Sequence, residues 1–196
     1  YLNLLNIAIE ECKTRNIKVT NGGFTARMSK LLVWDYYNST GQTTKANEYA
    51  QKVFPDTLLN TVGVAGYLAS NGSLNQTFQK AKELLNAYKT NQMTYVNIHW
   101  YEPAKEGDFP TANIENIDHS DMKGFQETIE VFRLITNKPV ITNEIGQFNN
   151  KGTLVTDILQ KCYDLNLPYV IWYSGDGADF GNAKALYNGS GVLRES

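Results

Sequence analysis

Glu144 is the residue of this sequence best placed to do chemistry. It follows the apolar run Val140-Ile141-Thr142 and precedes Ile145-Gly146. A carboxylate there would stand partly desolvated at the carboxyl end of a strand, where parallel α/β folds gather their ligands. The plain alternatives are a solvated loop side chain or a partner for a helix N-terminus. Three other strand ends carry a similar concentration of polar and aromatic residues: Asn21-Gly22-Gly23-Phe24, His99-Trp100-Tyr101-Glu102-Pro103 and Trp172-Tyr173-Ser174-Gly175-Asp176. His99 could meet a ligand or simply bond backbone. Tyr101 and Trp172 could offer faces to a ligand or serve as core aromatics.

The elements that would position these residues follow from periodicity. Leu2, Leu5, Ile9 and Cys12 form a helical stripe, which Asn16 could end. Ile17-Lys18-Val19-Thr20 reads as a strand stopped by Asn21-Gly22-Gly23. Residues 25–75 are less regular, with a helix at 44–54 and turns near Gly41 and Asn71-Gly72. Phe78, Ala81, Leu85 and Tyr88 make a second clear stripe, followed by a strand over Thr94–His99. A helix fits 121–136, with Phe125, Ile129 and Phe132 on one face and Ser120 as N-cap. Pro139–Thr142 is the next strand. Leu154, Ile158, Cys162 and Leu165 mark the next helix, and Pro168–Trp172 the last strand. This alternation predicts an α/β fold with a parallel sheet, either an open doubly wound sheet or part of a (β/α)8 barrel. Asn21-Gly22-Gly23 lacks the GxGxxG pattern of a dinucleotide turn.

The 196 residues carry a net charge of −2, which disfavours a nucleic-acid partner or an anionic membrane. No apolar run approaches the roughly 20 residues of a membrane span. Two cysteines and two histidines exclude a disulfide scaffold and a four-cysteine metal site. His119 beside Asp118 and Asp121 reads as a helix start, so no metal and no cofactor is expected. Cys12 and Cys162 fall on apolar stripes, as inert buried thiols do. The sequons at Asn38, Asn71, Asn75 and Asn188 are compatible with secretion.

Taken together, the strand ends resemble glycoside hydrolases of clan A, most of all family 5. His99-Trp100-Tyr101-Glu102-Pro103 resembles the His-x-Tyr-x-Pro segment after the sixth barrel strand. Val140–Gly146 looks like the seventh-strand Glu-Phe-Gly type motif, and Trp172 is similar to the eighth-strand tryptophan. Val19–Phe24 resembles the fifth strand, and Ala185-Leu186-Tyr187 with Gly191–Arg194 the closing segment. The resemblance implies a TIM (β/α)8 barrel, of which residues 1–196 would be the C-terminal half, strands 5–8. It implies a retaining hydrolase of a β-linked oligo- or polysaccharide, secreted, with Glu144 as nucleophile. Tyr101 would aim that carboxylate, His99 would bond a sugar hydroxyl, and Trp172 would floor the subsite. Asn143, Trp100 and Glu102 would line the substrate. The acid/base Glu of the clan, at the end of the fourth strand, would precede Tyr1 in a missing N-terminal half-barrel; Glu102 and Asp176 are distant substitutes. The rival expectation is a non-catalytic carbohydrate-binding or scaffold protein on a degenerate barrel; a third is an unrelated open α/β domain.

Overall fold

A computed structural model describes residues 1–102, 104–105, 122–147 and 152–173, with side chains omitted at 123 and 152–154. Eight helices are described: α1 (Leu2–Lys13), α2 (Ala26–Ser39), α3 (Thr43–Val53), α4 (Asp56–Thr61), α5 (Gly63–Ser70), α6 (Gly72–Ala87), α7 (Lys123–Thr136) and α8 (Gly152–Asp164). Three strands, β1 (Val96–Glu102), β2 (Val140–Gln147) and β3 (Val170–Trp172), form a parallel sheet in sequential order. No described helix is long and apolar enough to cross a membrane. Pro103, Asp118, His119, Ser120, Asp121, Ser174, Gly175, Asp176, Asn188 and the segment 185–194, to which the sequence assigns roles, lie outside the described residues.

The helical stripes fold as their spacing predicts. Phe125, Ile129 and Phe132 of α7 are fully buried, and Phe78, Ala81 and Leu85 of α6 are buried. The Asn71-Gly72 turn is the start of α6, where the Asn71 side chain accepts from the Leu74 N–H at 3.0 Å. The segment predicted to be irregular holds α2. Seven of its first eight residues are buried, from Ala26 through Val33. A helix buried nearly all round shows no polar face, so its sequence carries no stripe.

The segment predicted as a strand at 17–20 forms no named strand: the Val19 carbonyl accepts from the Thr94 and Tyr95 N–H groups, and Thr20 makes an isolated parallel bridge to Tyr95. Beyond it, Phe24 makes a second isolated parallel bridge, to Ile98 of β1. Between them the side chain of Asn21 stands in for a peptide group. Its Oδ1 accepts from the Asn97 N–H at 2.7 Å and its Nδ2 donates to the Asn97 carbonyl at 3.0 Å. The ladder is thus completed by an amide side chain rather than by backbone.

The two faces of the sheet differ. On one, Ile98 and Trp100 meet the helices: Lys30 of α2 lies 5.4 Å from the Trp100 ring, and Phe125 of α7 packs on it at 5.4 Å. On the other, β1 presents Asn97, His99 and Tyr101, two residues apart. Tyr169, Ile171 and Tyr173, also two apart, are half exposed.

Candidate active site

The site is built on one irregularity of β2. Asn97 pairs with Ile141 and His99 with Glu144, so three steps along β2 match two along β1. The same extra residue appears against β3, where Thr142 pairs with Val170 and Ile145 with Trp172. This is a β-bulge, and it turns Asn143 and Glu144 to the same face instead of opposite ones. Thr142 holds it from within, its Oγ1 donating to the Glu144 carbonyl at 3.1 Å and facing the Glu144 N–H at 3.3 Å.

Glu144 so placed meets both candidate partners on β1. The Tyr101 hydroxyl donates to Oε1 at 2.5 Å, and His99 Nδ1 lies 3.4 Å from Oε2. The Glu144 side chain stays about one-third exposed, at 32%. One oxygen is therefore held by a phenol and the other faces an imidazole, while the carboxylate remains open to solvent. A donor fixed against a carboxylate aims it.

Two glycines make room for the partners. Gly23, at φ +98°, lies so close to His99 that a Cβ there would sit 2.2 Å from Nε2. That Nε2 is buried and without a hydrogen-bond partner among the described residues. A Cβ on Gly146 would stand 2.6 Å from the Tyr173 carbonyl and 3.1 Å from the Tyr101 ring. The Tyr101 ring thus lies against bare backbone, with Tyr173 edge-on at 6.4 Å and 89°.

Glu144, Tyr101, His99 and Asn143 are brought together on this face. Trp100 and Glu102 are not, and the expectation that they line a ligand is corrected. Trp100 is fully buried and donates its Nε1–H to Glu102 Oε1 at 2.8 Å. The other Glu102 oxygen accepts from the Ala104 N–H at 3.1 Å, and Lys30 Nζ donates to the Ala104 carbonyl. Strand alternation is the reason: both residues are out of phase with His99 and Tyr101, and so face the helices. Trp172 is half-buried against the hydrophobic core, opposite Ile145 in register. Tyr173 is the aromatic that stands by Tyr101.

Sequence reasoning passed over Asn97 and Gly146 and gave Gly23 no role beyond a turn. Asn97 is two residues before His99, so the period of the strand was the signal available for it. Gly146 is marked in the sequence only as the last residue of the Val140–Gly146 motif, with no role attached. Among the described residues no three His, Cys, Asp or Glu side chains converge as metal ligands. Cys162 is buried, which pushes its thiol pKa up to about 12, and Cys12 is partly buried; neither is in a disulfide. No protein-family model matches the chain, and no curated protein and no solved structure matches it either.

Proposed function

We propose that this chain contributes the nucleophile half of a retaining glycoside hydrolase site, on a (β/α)8 barrel of which it forms the C-terminal strands. The observation that carries the proposal is the hydrogen bond of 2.5 Å from Tyr101 to Glu144, on a sheet face where Glu144 is still exposed. The sequential parallel strand order supports the barrel, since such a sheet closes by adding strands at its edges. Glu144 attacks the anomeric carbon and forms a glycosyl-enzyme, which water then hydrolyses. Tyr101 holds the carboxylate in line for attack. His99, wedged between Gly23 and Glu144, turns Nδ1 to the second carboxylate oxygen. Tyr173 and Tyr101 offer aromatic surface to the ring. The substrate is a β-linked oligo- or polysaccharide, and the setting is extracellular or periplasmic.

The reaction also needs an acid/base carboxyl about 5–5.5 Å from the nucleophile. Glu102 does not fill that role, since both its oxygens are bonded on the opposite face. The test is therefore chosen to need no acid. A panel of 2,4-dinitrophenyl 2-deoxy-2-fluoro-β-glycosides (gluco, manno, galacto and xylo) is incubated with the intact protein. Their leaving group departs unprotonated, so the nucleophile alone suffices. The expected result is a covalent adduct of one sugar, mapped to Glu144 by peptide mass and absent in Glu144→Gln. No adduct with any member, or an adduct that survives in Glu144→Gln, overturns the assignment. Sugar binding without an adduct would favour a carbohydrate-binding protein instead.

A further inference from the structure

Three asparagines cross the sheet in a row: Asn21 beside β1, Asn97 on β1 and Asn143 on β2. Their amide orientations are fixed one after another by backbone groups, whose polarity is not in question. Asn97 Oδ1 accepts from the Asn143 backbone N–H at 3.0 Å. That places Asn97 Nδ2 on the other side of its amide, where it donates to Asn143 Oδ1 at 2.7 Å and reaches the Asn21 carbonyl at 3.5 Å. Asn21 is pinned likewise, accepting from the Asn97 N–H and donating to the Asn97 carbonyl. Asn97 is fully buried and Asn21 nearly so, while Asn143 is exposed. The oxygen of Asn143 is therefore spent on Asn97, and its NH2 is left facing outward beside Glu144. An amide has one accepting and one donating end, so the row leaves Asn143 no choice of polarity.

We infer that Asn143 is a ligand-directed donor, and that Asn97, backed by Asn21, is the positioning residue that fixes it as one. The ligand it selects carries an acceptor oxygen next to the atom that Glu144 contacts. That the ligand is a sugar, and the acceptor a ring hydroxyl oxygen, rests on the hydrolase proposal; the polarity of Asn143 does not. The bulge serves both groups at once, since it brings the donor amide and the carboxylate to one face as consecutive residues.

Two measurements on the intact protein test this. The first is hydrogen exchange of the asparagine side-chain NH2 groups by NMR, with assignment by single Asn→Ser variants. The Asn97 pair should exchange slowly and the Asn143 pair at the rate of an exposed amide. In Asn97→Asp, which keeps the acceptor and removes the donor, Asn143 should turn its NH2 inward and become protected. A protected Asn143 pair in the unaltered protein, or no change in Asn97→Asp and in a second variant, Asn97→Ser, overturns the assigned polarity. The second measurement is kcat/KM for dinitrophenyl β-glycosides and their 3-, 4- and 6-deoxy analogues. Asn143→Ala should lose about tenfold, the worth of one hydrogen bond. One deoxy analogue should lose a similar factor with the unaltered protein and nothing further with Asn143→Ala. Equal losses in both proteins for every analogue overturn the ligand contact. If no glycoside reacts at all, the hydrolase proposal and the sugar contact fall together, while the exchange pattern alone still decides the polarity.

Discussion

Replacing Gly23 by Ala puts one methyl group into the tightest contact of the site. Its Cβ would stand 2.2 Å from His99 Nε2, 2.6 Å from Cδ2 and 3.1 Å from Asn97 Nδ2. Ordinary contact begins at about 3.5 Å, so the imidazole must retreat by roughly 1.3 Å. Glu144 lies at the other end of that ring, 3.4 Å from Nδ1. The φ of +98° adds strain of about 1–2 kcal/mol for a residue with a Cβ. Overpacking a filled site costs about 1–3 kcal/mol. Together these give a destabilisation of about 2–5 kcal/mol, read as a lowered midpoint at unchanged slope in urea unfolding. The neighbouring Gly22→Ala is the internal control. Nothing lies within 4 Å of its Cβ, and its φ is not in the left-handed region. It should be neutral or gain up to about 1 kcal/mol by restricting the unfolded chain. Two adjacent glycines thus respond with opposite signs. A Gly23→Ala protein within about 0.5 kcal/mol of its Gly22→Ala counterpart, which is the range of an unremarkable surface change, would refute the account of His99 given above.

Other perturbations have definite outcomes. Tyr101→Phe removes a hydrogen bond to a carboxylate, worth about 1.5–3 kcal/mol, so glycosylation of Glu144 should slow roughly ten- to hundredfold; an unchanged trapping rate would count against the role of the phenol. Glu102→Ala leaves the Trp100 Nε1–H and Ala104 N–H without their acceptor in the core, and should lower unfolding free energy by about 2–4 kcal/mol in urea. Stability should fall as pH rises above about 9, the range of an ordinary thiol. Burial keeps Cys162 protonated in the native state up to about 12, and desolvation raises Tyr49 and Tyr88 as well. The unfolded chain binds fewer protons in that window, so the slope of stability against pH is negative. The same burial predicts that a thiol reagent at pH 8 labels Cys162 only on unfolding.

The sequence was most legible where packing is one-sided. The stripes of α1, α6 and α7 show because each of those helices has a polar face to set against its buried one. α2 lacks that contrast, and so looked irregular. The segment at 17–20 was right in direction but forms no named strand, and Asn21 replaces a backbone rung with its side chain. Glu144 was found as a residue after a strand, whereas it lies within one that runs to Gln147. The bulge that aims it changes the phase of β2 by one residue, and no composition or spacing marks such a change. Glu102 misled for a related reason. A glutamate near a strand end suggests a rim, but its phase with Trp100 sends it among the helices, where two N–H groups receive it.

The extra residue of β2 also makes the strand a two-part instrument with a half-period offset in the middle. Upstream, Val140 and Thr142 answer to one rhythm; downstream, Ile145 and Gln147 answer to the opposite one. Removing one residue at Asn143 would therefore erase the bulge and leave every other side chain on its own face, because 141, 142, 144 and 145 then alternate one for one against 97, 98, 99 and 100. Glu144 would still meet His99, and the fully buried Ile145 would still face the helices. What would vanish is the neighbour: a carboxylate and an amide can stand side by side on one face only where a strand carries a residue more than its partners.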